Sequence, residues 1–155
     1  MLKPILYTFA LSMVPIVELR GALILGFGLS LPWYVNLPIC ILGNMLPIPF
    51  ILLFIRRILN WMKNVKCLDK IALWVEKVGQ KRSGKVTKYE LLGLFLFVAI
   101  PLPGTGAWMG ALISSLLEMR IKHSLISIFL GVICAGTLIT VALYGAGGLA
   151  SLLLL

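Results

Sequence analysis

Four long apolar blocks follow one another along the chain, and one polar stretch separates the second block from the third. The blocks cover residues 4–29, 33–55, 91–117 and 124–145. The second and fourth contain no charged residue, and as helices they are long enough to cross a hydrocarbon core about 30 Å thick. Each of these two blocks is therefore predicted to form a transmembrane helix.

The first and third blocks are each interrupted in the middle by residues that disfavour a helix. Residues 14–22 read VPIVELRGA, and residues 100–107 read IPLPGTGA. Proline removes an N–H and clashes with the preceding turn, and glycine relaxes the backbone further. The arms beside each break have about ten residues, or about 15 Å of helix, which reaches only the middle of a bilayer. The pattern predicts two re-entrant helical hairpins, with two kinked full spans as the alternative.

Each half of the chain follows the same plan, a hairpin with a broken tip and then one full span. Pro15 and Pro101 occupy corresponding places, and residues 21–22 loosely match residues 106–107. If both hairpins re-enter, the first comes from outside and the second from the cytoplasm. Such an inverted repeat with paired interruptions indicates a transporter site. We therefore expect one all-α membrane domain over residues 1–155, with an inverted repeat of hairpin plus transmembrane helix.

The polar stretch 56–90 is strongly basic and is predicted to face the cytoplasm. It carries ten of the fourteen Lys and Arg residues and three of the five acidic ones, and cytoplasmic loops are enriched in Lys and Arg. Five lysines gather on one side of a helical wheel, namely Lys63, Lys66, Lys70, Lys77 and Lys81. The pattern predicts a basic amphipathic helix on the anionic inner leaflet. A solvated helix packed on neighbouring helix ends is the alternative.

Composition excludes several classes of protein. Hydrophobic residues make up 61% of the chain and charged residues 12%, with a mean hydropathy of +1.08, which is incompatible with a small soluble domain. In a membrane protein the net charge of +9 indicates cytoplasmic loops and contact with anionic lipid headgroups rather than binding of nucleic acid. We read the N-terminal apolar run as retained sequence rather than a signal peptide.

Catalytic and metal-binding patterns are missing from the sequence. The three cysteines lie far apart, which gives neither a disulfide framework nor a zinc spacing. Residues 79–85 match G-x-x-x-x-G-K, but Val86 follows where a phosphate-binding loop needs Ser or Thr. We predict no metal, no cofactor and no enzymatic activity.

Glu18 and Arg20 are the first candidate site residues, because they are the charges at the break in the first block. A lone charge in hydrocarbon costs at least a few kcal/mol, so such residues pair or face a wet cavity. Glu18 would carry a proton or bind a cationic group, and Arg20 would hold an anionic head group beside Gly21. The alternative is that the two charges neutralise each other or bind carbonyls freed by Pro15.

The second break supplies the remaining candidates. Its residues Pro101, Pro103, Gly104, Thr105 and Gly106 precede a helix whose positive end suits a phosphate or carboxylate. Trp108 could stack on a substrate or merely pack. Asn44, Pro47 and Pro49 interrupt the second block, and Asn44 is either a site residue or a link between helices. A tight turn that lets the two hairpins touch is the alternative for the whole break.

These motifs resemble the small multidrug export protein family. The resemblance rests on residues 15–22, PIVELRGA, residues 100–108, IPLPGTGAW, and residues 110–112, GAL, and it covers nearly the whole chain. The family looks like a compact relative of the DedA and VTT-domain membrane proteins, which are described with two re-entrant hairpins in inverted repeat. The resemblance implies a superfamily in which several relatives move lipids or lipid carriers.

Residues and resemblance together favour a small integral membrane transporter. It would move an amphiphilic or anionic solute, such as a lipid, lipid carrier or drug-like compound, past two facing hairpin tips, with proton coupling through Glu18. The alternatives are an uncoupled lipid scramblase and a non-catalytic membrane scaffold or accessory subunit. We expect a homo-oligomer, with a dimer as its simplest form, in a bacterial-type plasma membrane and in contact with anionic inner-leaflet lipids.

Overall fold

The part of the chain that the structure describes is helical. The computed structural model describes residues 2–63, 88–102 and 104–153, and these contain helices and no strand. The helices are α1 (Leu2–Ser12), α2 (Glu18–Gly28), α3 (Trp33–Met45), α4 (Ile48–Lys63), α5 (Lys88–Ala99), α6 (Ala107–Leu116) and α7 (Ile121–Leu153). The predicted all-α class is confirmed.

Two segments among the described residues are long and apolar enough to cross a membrane. They are Trp33–Ile58, with 26 residues, and Ile121–Gly145, with 25 residues. At 1.5 Å per residue each helical length exceeds the roughly 30 Å of a hydrocarbon core. These segments contain the predicted spans 33–55 and 124–145 and extend beyond them by a few residues. Two apolar helical segments long enough to cross a membrane are thus confirmed.

The first long segment is interrupted between α3 and α4, whereas α7 runs without a break. Pro47 has no backbone N–H, so it cannot make the helical hydrogen bond to the carbonyl four residues before it, and its ring crowds that carbonyl. Accordingly α3 ends at Met45, and the chain resumes as α4 at Ile48. The interruption lies where the sequence has Asn44 and the two prolines.

The four short helices form two hairpins, α1 with α2 and α5 with α6. Their arms have 10 to 12 residues each, or about 15–18 Å of helix. The first pair packs on α3 and the second pair on α7. The second break covers residues 100–106. The first covers residues 13–17, and α2 begins at Glu18, so Glu18, Arg20 and Gly21 lie in the first turn of this helix.

Each hairpin packs closely on its long helix at a glycine. A Cβ atom at Gly43 of α3 would lie 2.7 Å from the carbonyl oxygen of Phe9 in α1. A Cβ atom at Gly131 of α7 would lie 3.0 Å from the carbonyl oxygen of Phe95 in α5. Small residues allow such close backbone approach between membrane helices. The first arm of each hairpin is therefore seated on its long helix in the same way.

The turn after each hairpin also has the same form. Ser30 after α2 and Glu118 after α6 both adopt left-handed backbone, with φ of 57° and 53°. In each turn the next N–H, from Leu31 or Met119, donates to a carbonyl oxygen of the preceding helix, at 2.9 and 3.0 Å. This arrangement is a Schellman motif, which ends a helix by satisfying its last carbonyls.

The core lies where both hairpins meet the long helices. Leu23 of α2, Ile48 of α4, Val98 of α5, Ala111 of α6 and Ile128 of α7 are each at most 1% exposed and belong to one cluster. This shared core holds the two hairpins against each other, so that the break of one faces the break of the other.

The predicted amphipathic helix over residues 56–90 lies mostly outside the described residues. Its first turns are the end of α4, which continues to Lys63, and its last residues open α5 at Lys88. Residues 64–87 are not described, so the basic face on the inner leaflet stays a prediction.

Candidate functional site

The carboxylate of Glu18, on the first hairpin, lies at the N-terminus of α6 on the second. Its Oε1 is 3.4 Å from the backbone N of Trp108, and the N–H of Ala107 also interacts with the carboxylate. The first N–H groups of a helix have no partner within the helix, and they carry partial positive charge. Glu18 is 7% exposed. The positive helix end predicted to receive an anion is thus occupied by a carboxylate of the protein itself.

Gly106 makes room for that carboxylate. It is the residue just before α6, it is buried, and its backbone is extended. A Cβ atom at this position would overlap the carboxyl group of Glu18. The absence of a side chain at Gly106 therefore brings the two hairpin tips into direct contact.

The backbone of Glu18 is itself unusual. Its φ is +51°, in the left-handed region, where a residue with a side chain costs about 1–2 kcal/mol. The strain sits immediately after the turn that contains Pro15. Strained backbone of this kind concentrates at functional sites, where the surrounding contacts hold it in place. The contact with α6 is such a restraint on Glu18.

Arg20 makes the second link between the hairpins. Its Nη2 donates to the hydroxyl oxygen of Thr105 at 2.8 Å and lies 3.3 Å from the carbonyl oxygen of Ile100. Hydrogen bonds from a charged donor are stronger than neutral ones. Both charges of the first tip thus bind groups of the second tip. Gly21, the next residue, packs instead against Val17 of its own hairpin.

Thr105 holds the second tip together while it accepts from Arg20. Its hydroxyl lies 2.8 Å from the carbonyl oxygen of Ile100 and 2.9 Å from that of Leu102, and both carbonyls belong to the turn that follows α5. Gly104 has φ of +83°, a conformation that favours glycine. Pro101 is exposed beside this turn, and Pro103 lies outside the described residues.

Trp108 and Asn44 each carry a buried polar atom without a hydrogen-bond partner among the described residues. These atoms are Nε1 of the Trp108 indole and Oδ1 of Asn44. Trp108 stands at the tip contact through its backbone N–H. Asn44 lies on α3, 1% exposed, and takes no part in the hydrogen bonds between the tips. Buried polar atoms without partners are uncommon, and here the indole N–H can donate to a ligand group or a water and the amide oxygen can accept from one.

A second buried polar cluster was not found by the sequence reasoning. Asn36 of α3 donates from Nδ2 to the carbonyl oxygen of Leu23, at 2.9 Å, and to the hydroxyl of Tyr144, at 3.1 Å. Tyr144 of α7 donates in turn to the carbonyl oxygen of Leu31, at 2.6 Å. Asn36 stands in the same apolar block as Asn44, and that signal could have revealed it. This cluster ties α2, α3 and α7 together.

The polar groups at the two tips are of the kinds that bind charged ligands reversibly. A carboxylate, a guanidinium, a hydroxyl and a helix N-terminus lie together, and the groups that hold Glu18 and flank it are anion-binding groups. Within the described residues no group of three or more His, Cys, Asp or Glu side chains could hold a metal ion. The arrangement suits exchange of one anionic partner for another.

Comparison with known proteins identifies one family. A family model described as "Putative small multi-drug export protein" matches residues 18–138. The match covers more than half of the chain, begins at Glu18 and includes both sides of the tip contact. No curated protein and no solved structure matches the chain.

Proposed function

Because the chain belongs to the family of small multidrug export proteins, we propose that it is a membrane transporter that exports an amphiphilic or anionic small molecule. The family description supports export as the function. The two apolar helices of membrane-spanning length support a location in the membrane. We also propose the chemical class of the substrate and its route between the two hairpin tips.

The observation that carries the route is the contact between the two hairpin tips. Glu18 neutralises the N-terminus of α6, and Arg20 binds Thr105. An anionic head group offers the same chemistry as the Glu18 carboxylate, and helix N-termini and guanidinium groups bind phosphates and carboxylates. A substrate that takes the place of Glu18 would separate the tips and pass between them.

Proton coupling through Glu18 follows from the same contact. A proton on Glu18 removes the negative charge that the N-terminus of α6 and the nearby Arg20 attract. The contact then keeps only a neutral hydrogen bond, which is weaker. Protonation of Glu18 would therefore open the tips and leave the helix N-terminus free for an anionic substrate.

We further propose that the two hairpins re-enter the membrane as an inverted repeat. Their arms are about half as long as a hydrocarbon core is thick. The glycine contacts at Gly43 and Gly131 and the left-handed turns at Ser30 and Glu118 recur at corresponding positions. A likeness of this kind is what paired halves of opposite orientation produce.

Exposed aromatic residues support contact between the protein and membrane lipids. Trp33 and Tyr34 are exposed at the start of the first long segment, and Trp61 is exposed near its other end, as in the aromatic belts of membrane proteins. We propose that the basic stretch lies at the cytoplasmic surface against anionic lipids and that the protein works as a homo-oligomer without enzymatic activity.

Export can be tested in liposomes loaded with a panel of labelled amphiphiles of both charges and of labelled lipids. We expect transport by the wild type and at least a tenfold loss in Glu18→Gln, which cannot return to the charged form that closes the tips, and in Arg20→Met, which lacks the bond to Thr105. The double variant should stay inactive. Lys3→Gln is the matched control, because it removes a charge at the exposed start of α1.

A thermal-stability assay in detergent accompanies the transport measurement. Folded single variants with wild-type transport would overturn the role of the tip contact. Restored transport in the double variant would mean that Glu18 and Arg20 serve only to balance each other's charge. Movement of lipids alone, without any gradient, would identify the protein as a scramblase instead.

A further inference from the structure

The two halves of the chain correspond position by position from the second arm of each hairpin onward. The interval from Ser30 to Glu118, the two left-handed residues, equals the interval from Gly43 to Gly131. At this same interval, deeply buried positions of the first half recur in the second, each at most 1% exposed: Leu23 and Ala111, Cys40 and Ile128, Asn44 and Val132. One constant interval therefore relates positions after the first tip to their counterparts after the second.

The hydrogen bonds of the two turns follow the same interval. The N–H groups of residues 29–31 donate, in order, to the carbonyl oxygens of Leu25, Phe27 and Gly26. The N–H groups of residues 117–119 donate, in order, to those of Ile113, Ser115 and Ser114. All six distances lie between 2.9 and 3.1 Å. The two turns are thus equivalent parts of two repeated units.

Tyr144 of α7 holds the turn of the first hairpin. Its hydroxyl donates to the carbonyl oxygen of Leu31 at 2.6 Å and accepts from Asn36 at 3.1 Å. Tyr144 belongs to the second half of the chain, whereas Leu31 and Asn36 belong to the first. The end of one long helix therefore closes on the hairpin turn of the other half.

Arg56 of α4 is the counterpart of Tyr144 at this interval, and both side chains are half-buried. The guanidinium of Arg56 is attracted by Glu118, the left-handed residue of the second turn. Its Nε and Nη2 atoms are buried, and α4 packs on α6, the helix that precedes this turn. A guanidinium that loses contact with water needs an acidic partner. The second turn is thus held by the long segment of the first half, just as the first turn is held by α7.

We infer that these two contacts are gates at opposite faces of the membrane, with Tyr144 closing the outer gate and Arg56 the inner one. The inference rests on the proposed export and on the opposite orientation of the two halves. A transporter built as an inverted repeat opens to each side in turn as one half moves against the other. Opening one contact while the other stays closed exposes the hairpin tips to one side only.

Distances between spin labels measure each gate separately. In a cysteine-free background, one pair of labels is placed at Tyr34 and Val141, on the helices that carry Asn36 and Tyr144. The other pair is placed at their counterparts Lys122 and Leu53. All four labelled positions are exposed. Double electron–electron resonance is then measured on the purified full-length protein in lipid nanodiscs.

Each gate should open without the other. We expect Tyr144→Phe to widen the outer pair by about 5 Å, the scale of a one-turn shift between packed helices, and to leave the inner pair unchanged. Arg56→Gln should widen only the inner pair. Glu118→Gln removes the same attraction from the other side, so it should act like Arg56→Gln. Arg57→Gln is the matched control, because Arg57 is exposed, and it should change neither distance.

Three outcomes would overturn the two gates. Widening of both pairs by one variant would mean that the contact holds the whole fold rather than one face. Unchanged distances in folded Tyr144→Phe, Arg56→Gln and Glu118→Gln proteins would mean that other contacts close both faces. Labelling of Tyr34→Cys and Lys122→Cys by an impermeant reagent from the same side would place both contacts at one face.

The measurement also separates the gates from the proposed export, because it requires no substrate. Selective widening in a protein that transports none of the amphiphiles would count against export and would support the two contacts. Transport by the wild type with unselective widening would support export and overturn the gates.

Discussion

The carboxylate of Glu18 occupies the space that a side chain at Gly106 would need. We expect Gly106→Ala to force the two hairpin tips apart and to lower the free energy of unfolding by about 1–3 kcal/mol, the usual cost of overpacking. Thermal unfolding in detergent measures the loss. Gly93→Ala is the control, because its added methyl group meets open space.

A shorter acid offers a rescue for that variant. Glu18→Asp withdraws the carboxylate by one methylene group, so the double variant Glu18→Asp with Gly106→Ala should recover part of the stability that Gly106→Ala loses. Strictly additive losses in the double variant would show that the two residues do not compete for the same space.

The link between Arg20 and Thr105 predicts a measurable coupling. Arg20→Met and Thr105→Val each remove one side of a 2.8 Å hydrogen bond from a charged donor. We expect a coupling free energy of about 1–2 kcal/mol in the double-mutant cycle, measured by unfolding. Thr105→Ser keeps the hydroxyl and should show little of the loss. A coupling near zero would mean that the bond contributes nothing to stability.

Tyr144→Phe should destabilise the protein by about 1–2 kcal/mol. The substitution leaves the carbonyl of Leu31 without its donor and Asn36 without one acceptor, while the ring can keep its edge contact with Phe27 at 5.0 Å between centroids. Tyr89→Phe is the control, because Tyr89 is 84% exposed. Equal melting temperatures of the two variants would contradict the role of this cluster.

Ser30→Gly should stabilise the protein by about 1 kcal/mol, because glycine adopts the left-handed backbone at this turn without steric cost. Ser30→Ala should not stabilise, since alanine keeps the Cβ atom. At Glu118, too, the glycine variant should be more stable than the alanine variant. A gain from alanine as large as that from glycine would point to the removed side chains rather than to the backbone.

Cysteines at the two tips test the re-entrant arrangement. Ile16, 92% exposed, and Leu102, 55% exposed, stand on the breaks. We expect an impermeant reagent to label Ile16→Cys slowly and only in intact cells, and Leu102→Cys only in inside-out membrane vesicles. Rapid labelling from the opposite sides would favour two kinked full spans.

The sequence predicted the features that depend on local chemistry. The prolines at 15 and 101 indicated the two breaks, and charge-free apolar runs indicated the long helices. The partners of the charges could not be predicted from the sequence, because they lie eighty or more residues away. Arg20 and Thr105 meet only after both hairpins have packed. The sequence placed Glu18 and Arg20 at the break, and the structure places them in the first turn of α2, where the carboxylate of Glu18 lies against α6.

Asn36 is a second residue whose partners could not be predicted from the sequence. Its position in an apolar block carried the same signal as that of Asn44, yet only the fold reveals that Asn36 reaches Leu23 and Tyr144. An asparagine in an apolar helix predicts a need for partners. It does not predict which helix supplies them.

The interruption at Pro47 lies where the chain passes from one set of packing partners to another. Before it, α3 rests on both arms of the first hairpin, and after it, α4 rests on α6 of the second. By contrast, α7 is one continuous helix that packs on both hairpins. We therefore expect the two hairpins to move relative to each other by a bend at Pro47, between α3 and α4, while α7 stays continuous and connects them.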